Sequence, residues 1–136
     1  TFQGRDLMAP LAARLALGET PAVLGLAMDP SGLERGSWSS PAPGQNRVMA
    51  HVLHVDRFGN CALNLRENAA VPAQGLRLLL PAPKPLRRVR TYADLDQGEI
   101  GLLSGSQGFL ELALYMGSAA RSLGINPGAE LTLAWD

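Results

Sequence analysis

Three short stretches carry residues with chemical potential. In Thr1-Phe2-Gln3-Gly4-Arg5-Asp6, a glycine precedes an expected helix, and such a loop can present backbone N–H groups to an anion or a polarised water. A strand end running into a capped helix, with Arg5 and Asp6 paired, explains the same residues. Asp56-Arg57-Phe58-Gly59-Asn60 sets a carboxylate, an aromatic ring and an amide on one tight turn. That set suits a ligand with an ammonium group, a flat ring and a hydrogen-bonding edge, as adenine has; a β-hairpin turn of polar turn formers is the plainer account. In Ser104-Gly105-Ser106-Gln107-Gly108, two glycines around a serine free the backbone to curl, offering a hydroxyl and N–H donors to a carboxylate or phosphate. No Gly-Lys-Ser/Thr follows, so it is not a Walker loop. The next segment reads as strand, so it is not a dinucleotide fingerprint either.

Other reactive residue types point to structure. His51 and His54 fall in one strand candidate at a spacing that puts them on opposite faces, and no Asp/Glu/His cluster has metal-ligand spacing, so no metal is expected. The single cysteine, Cys61, has no disulfide partner and lies in an apolar run, where it reads as a small buried hydrophobe rather than a nucleophile.

The elements that must position these residues can be placed by periodicity. Residues 6–17 read as a helix with Asp6 as N-cap, Leu7, Met8, Leu11 and Leu15 at helical spacing, Pro10 in the first turn and Gly18 as the stop. Residues 21–46 are rich in Gly, Pro and Ser and read as a linker with one short strand near 21–26. From Arg47 the pattern becomes β, with strands expected over 47–56, 61–65, 76–80, 87–92, 100–104, 109–115 and 130–135. Gly59, Gly98, Gly108 and Gly128 mark turns between them. A short helix over 118–123 has Ser118 as cap and Gly124 as stop. Seven short strands in this length predict a mainly β fold, a small barrel or sandwich, because an open sheet would leave long edges. The expected organisation is 1–20 as the tail of an α/β domain otherwise absent, 21–46 as linker, and 47–136 as the β-barrel domain.

Composition narrows the function classes. The chain has 136 residues, 46% hydrophobic and 18% charged, with twelve Lys+Arg against twelve Asp+Glu. It therefore carries no global field to recruit nucleic acid or anionic membrane. The basic run at 84–90 alternates with apolar residues and reads as a solvated strand edge. No segment approaches the ~18 apolar residues of a membrane span. A lone cysteine fits a reducing, cytoplasmic compartment.

In their order along the chain, these motifs make the protein resemble the SAM hydroxide adenosyltransferase (SAM hydrolase) family, which shares its fold with the fluorinase and chlorinase. The resemblance runs through Thr1-Phe2-Gln3-Gly4-Arg5-Asp6, Asp56-Arg57-Phe58-Gly59-Asn60 with Asn64, and Thr91-Tyr92-Ala93-Asp94 with Gly98-Glu99. It continues through Gly105-Ser106-Gln107-Gly108-Phe109-Leu110-Glu111 and Gly117-Ser118-Ala119-Ala120. It implies an N-terminal α/β domain ahead of a C-terminal barrel, a homotrimer, and a SAM site between the N-terminal domain of one subunit and the C-terminal domain of its neighbour. This chain would begin near the end of the N-terminal domain and would be inactive alone.

The implied reaction is hydrolysis of S-adenosylmethionine to adenosine and L-methionine by water or hydroxide attack at ribose C5′, with SAM as substrate and no cofactor. The implied roles are Asp56 on the methionine ammonium, with Ser106 and the adjacent Gln107 backbone on the amino-acid end. Asn60 would read the adenine edge, Phe58 and Tyr92 would pack on the ring, and the backbone of Tyr115 and Met116 would add adenine contacts. Gly4 would lie near the nucleophile, where halogenating relatives have serine or glycine. Two departures stand out: many hydrolases have histidine at the position of Gln3, which can hydrogen-bond a water but cannot take its proton, and the family often has asparagine at Tyr115. A halide-dependent adenosyltransferase, a non-catalytic SAM- or adenosine-binding relative, and Thr1 as an N-terminal nucleophile are the alternatives.

Overall fold

The computed structural model describes residues 2–136; Thr1, which opens the first motif and on which the N-terminal-nucleophile alternative rests, lies outside the described residues. The chain divides into two compact units, Thr1–Arg35 and Gly36–Asp136.

The first unit is built on one helix that changes pitch. A π turn at Gly4–Met8 leads into α1 (Ala9–Ala16). Pro10 explains the change: it offers no N–H, and its ring would crowd the carbonyl four residues back in an α-helix. The wider turn ahead of it is closed by the Ala9 N–H bonding Gly4 O. Gly18, at φ +92°, ends the helix as expected, and the Glu19 N–H returns to Arg14 O at 3.1 Å. Asp6 is not the N-cap. It lies inside the π turn with its carboxylate on Arg5 Nε at 2.5 Å. The strand expected near 21–26 is instead a 3-10 turn at Pro21–Val23, because Pro21 fixes φ where a turn can start but a ladder cannot.

The second unit is mainly β, with nine strands. They are β1 (Ala42–Gly44), β2 (Arg47–Val55), β3 (Cys61–Arg66), β4 (Arg77–Leu80) and β5 (Lys84–Pro85), then β6 (Arg87–Arg88), β7 (Ile100–Ser104), β8 (Phe109–Leu114) and β9 (Glu130–Ala134). The order is β5-β4-β9-β2-β3-β8-β7-β6, with β1 added beside β2. The terminal strands β5 and β6 are separated by Leu86 alone. The Leu86 N–H bonds Leu76 O at 3.0 Å on one side, and the Val89 N–H bonds Leu102 O at 2.9 Å on the other. The chain thus crosses from one sheet edge to the other and curls the sheet into a nearly closed barrel, which removes exposed edges.

Leucines fill the barrel. Leu63, Leu65, Leu78, Leu102, Leu110, Leu112, Leu131 and Leu133 are each less than 2% exposed, and burying one such side chain stabilises by about 2 kcal/mol. Their alternation with half-buried or exposed residues in β8 and β9 is the period-2 pattern of a wall with one wet face.

Six of the seven expected strands are present with ends within one residue. The 87–92 candidate is shorter: it is strand only at Arg87–Arg88 and then turns into a 3-10 turn at Tyr92–Asp94. The two histidines differ from expectation. Register is irregular between Val52 and His54, and this bulge resets the alternation. Ala50, Val52, Cys61 and Leu63 all face the core, while His51 and His54, paired with Glu130 and Ala62, both lie on the outer face of the sheet, His54 exposed and His51 largely covered. Asn64, 5% exposed, locks the start of this unit to the barrel. Its Oδ1 accepts the His51 N–H, and its Nδ2 donates to Trp38 O, both at 2.9 Å.

Candidate functional site

The turn after β2 is built around one carboxylate. Asp56 Oδ1 accepts the Phe58 and Asn60 backbone N–H groups at 2.9 Å each, and Oδ2 accepts Asn60 Nδ2 at 3.0 Å. Partial burial pushes the Asp56 carboxyl up. The hydrogen bonds from Asn60, backbone and side chain, and from the Phe58 and Gly59 N–H groups outweigh it, so the acid sits below the usual carboxylate range. Asp56 is therefore a fixed negative charge at neutral pH. Asn60 is 9% exposed. Its Nδ2 is engaged by Asp56, which leaves Oδ1 as the acceptor that faces no partner among the described residues.

The turn is fastened to the short helix α2 (Ala119–Leu123), capped by Ser118 Oγ on the Arg121 N–H and closed by Gly124 in the left-handed region. The Ala120 N–H donates to Gly59 O at 2.9 Å, and Gly59 itself has φ +89°. A Cβ there would stand 2.0 Å from Ser118 Oγ and 2.9 Å from Ser118 Cα. No side chain fits where the two backbones meet.

Tyr92 is held by a capping box: the Asp94 carboxylate accepts the Thr91 N–H at 2.9 Å while the Thr91 side chain accepts from the Asp94 N–H. Thr-x-x-Asp is the sequence signature of this arrangement, and it was the available signal that residue 92 sits on a turn rather than in a strand.

These elements shape two adjoining hollows. The larger, about 740 Å³, is walled by Asp56, Phe58, Asn60, Tyr92, Tyr115 and Met116. Its apolar side chains are open, with Phe58 62% and Met116 82% exposed, and Met116 takes φ +54° on the turn that follows β8. The smaller, about 500 Å³, shares Asp56 and Tyr92 and adds Ser106, Gln107, His54 and Glu111. All eight residues expected to bind ligand in this unit thus line one or other of these two hollows, whose common wall is Asp56 and Tyr92. One hollow is aromatic and amide-edged, and the other carries the polar side chains of Ser106, Gln107, His54 and Glu111. Sequence reasoning missed Glu111, whose outward position follows from buried Leu110 and Leu112 on either side of it.

Gln3 and Gly4 belong to the first unit. Gly4 opens the π turn, Gln3 precedes it without a side-chain cap bond, and a Cβ on Gly4 would meet nothing within 4 Å. Cys61 is fully buried behind the Asp56 turn, its Sγ 3.7 Å from Gly59 O. Burial, then the Asp56 charge, push its thiol up to about 11. Among the described residues, no group of three or more His, Cys, Asp and Glu could hold a metal ion.

Residues 50–132 match the SAM hydroxide adenosyltransferase C-terminal domain. The chain is similar to proteins named (R)-S-adenosyl-L-methionine hydrolase. That from Salinispora tropica is 40% identical over 96% of this chain and 49% of its own length. That from Thermus thermophilus is 35% identical over 98% of this chain and 49% of its own. The chain thus spans about half the length of the curated relatives it matches. Among solved structures, it resembles an uncharacterized conserved protein from Thermotoga maritima with TM-score 0.80 and 27% identity, over 98% of this chain and 52% of that one. It also resembles a conserved hypothetical protein from Thermus thermophilus, with TM-score 0.68 and 32% identity over 98% and 52%.

Proposed function

Because the chain belongs to the SAM hydroxide adenosyltransferase family, we propose that it is part of an enzyme hydrolysing S-adenosylmethionine, in the (R) form named for its relatives, to adenosine and L-methionine. The observation that carries this reading is the pair of hollows walled in common by two residues. Asp56 and Tyr92 stand between an aromatic, amide-edged end and a hydroxyl-bearing end.

In this reading, Phe58 and Tyr92 flank the adenine, Asn60 Oδ1 accepts from its exocyclic amine, and the Tyr115–Met116 backbone completes the edge. The depressed acidity of Asp56 keeps a negative charge for the methionine ammonium. Ser106 and the Gln107 backbone take the carboxylate. The sulfonium leaves as a neutral thioether, so the leaving group needs no acid. The reaction needs a water held in line with C5′ and shielded from bulk. Gln3 and Gly4 would border that water, with Gln3 orienting it by hydrogen bond and Gly4 leaving it room.

The proposed working form is a cytoplasmic homotrimer of the longer protein. Exposed Phe58 and Met116 at the mouth of the hollow support a covering neighbour, and a lone buried thiol supports a reducing compartment. No helix among the described residues is long and apolar enough to cross a membrane.

Full-length protein incubated with SAM should release adenosine and methionine in equal amounts, resolved by chromatography, while the 136-residue chain releases none. SAM that stays bound and intact, or a product that appears only with added halide, would overturn the hydrolase reading.

A further inference from the structure

Glu111 lies mid-wall on β8, in register with Ala62 on one side and Leu103 on the other. Its carboxylate faces the smaller hollow. Glu99 is paired with Arg87 at 2.9 Å, whereas Glu111 forms no ion pair among the described residues, so charge neutralisation does not account for a half-buried acid there.

Two close approaches fix where it sits. Tyr92 Oη lies 3.4 Å from Glu111 Oε2. On the other side, the backbone of Gly105 is pressed close: a Cβ at Gly105 would stand 2.0 Å from Glu111 Oε1 and 2.4 Å from its Cδ. Gly105 opens the turn bearing Ser106 and Gln107, closed by the Gly108 N–H on Gly105 O at 3.1 Å and the Gly105 N–H on Phe109 O at 2.7 Å. The Tyr92 phenol is pushed up by burial first and by Glu111 next, so the hydroxyl keeps its proton to donate.

We propose that Glu111 is a positioning residue that ties Tyr92 to the Ser106 turn, so that one carboxylate sets the ring wall and the polar end of the ligand hollow together. The inference deepens the SAM reading and rests on it. Because β8 is held on both flanks by the sheet, Glu111 presents its carboxylate to both ends of the hollow from one fixed backbone position.

The test uses the full-length protein and two probes: adenosine, which reports the ring end, and S-adenosylhomocysteine, which reports both ends without a reactive sulfonium. Titration calorimetry would compare Glu111→Ala, Glu111→Gln, Tyr92→Phe and the Tyr92→Phe/Glu111→Ala pair, with melting curves confirming the fold. Glu111→Ala and Tyr92→Phe should each weaken adenosine by roughly fivefold, and the double variant should be no weaker than the worse single one, as coupled neighbours behave. Glu111→Gln, which keeps an acceptor for the phenol, should restore adenosine affinity. Glu111→Ala should weaken S-adenosylhomocysteine more than adenosine, whereas Tyr92→Phe should weaken both equally. Additive losses in the double variant, or wild-type affinity in Glu111→Ala, would overturn the inference while leaving the SAM reading intact. Wild-type protein that binds neither probe would overturn the SAM reading and the inference with it.

Discussion

Asp56 and Asn60 grip each other through three hydrogen bonds: the Asn60 N–H and Nδ2 both donate to the Asp56 carboxylate, and the Asp56 N–H returns to Asn60 O at 3.0 Å. The charge proposed for the ligand and the amide proposed for the adenine edge are therefore one mechanical unit. Neither can be altered without moving the other.

That unit has a pH signature. The Asp56 acid is depressed in the fold, so its contribution to stability is present above the ordinary aspartate value of about 3.9. It is lost as pH falls through the folded value. Asp56→Asn should cost about 1 kcal/mol at pH 7, the net worth of charge-assisted bonds replaced by weaker ones. Urea unfolding at pH 7, 5 and 3 should show the gap between the two proteins closing at the acid end. A gap independent of pH would mean that the turn does not use the charge.

Gly59 tests how tightly this turn is fastened to α2. Replacement by alanine meets both a strained positive φ and a Cβ placed 2.9 Å from the Ser118 backbone, where no side-chain rotation gives relief. Gly59→Ala should destabilise by about 3 kcal/mol, whereas Gly98→Ala, with positive φ but open space around it, should cost about 1 kcal/mol. Thermal melts of the two variants side by side read the difference, and equal costs would show that the Gly59–Ser118 approach is slack.

How far the sequence disclosed this arrangement depended on the range of the interaction concerned. Ser118 and Gly124 bounded α2 correctly because caps and stops are local, and β7 and β8 were legible because two leucine-rich runs flank a glycine-marked turn. The Asp56–Asn60 turn was recognisable by type for the same reason. What could not be read was non-local or context-set: the two-residue strands β5 and β6 exist only because their partners β4 and β7 are nearby. The bulge that turns both histidines outward leaves no mark in the spacing of 51 and 54. Glu111 stood in a resembling stretch without a role of its own, and only the fold brings Tyr92 and Gly105 to it.

Asn64 makes a further prediction about the seam between the first residues of the β unit and the barrel. It is nearly buried and satisfies two backbone groups, the His51 N–H and Trp38 O. Asn64→Ala strands both, and should destabilise by about 2 kcal/mol, the cost of leaving buried polar groups unmade. Asn64→Asp keeps the acceptor for His51 but presents oxygen to the Trp38 carbonyl, so chemical unfolding should place it no better than the alanine variant. If aspartate restored wild-type stability, the Trp38 bond would be contributing nothing.

Cys61 gives a prediction at the alkaline end. Its thiol is buried behind Gly59 and, through burial and the Asp56 charge, raised to about 11, against about 8.5 in an unfolded chain. A folded value above the unfolded one means that the unfolded state sheds its proton first as pH rises. The native state's advantage is whole below about pH 8.5 and drains away through about pH 11. In the native protein at pH 8, a thiol reagent such as dithionitrobenzoate should leave Cys61 unmodified, with full reaction on adding denaturant. Cys61→Ala should flatten the alkaline loss of stability at the expense of about 1 kcal/mol of packing near neutrality. Rapid native labelling would mean that the barrel opens behind the Asp56 turn, and the proposed ligand charge would then rest on a moving support.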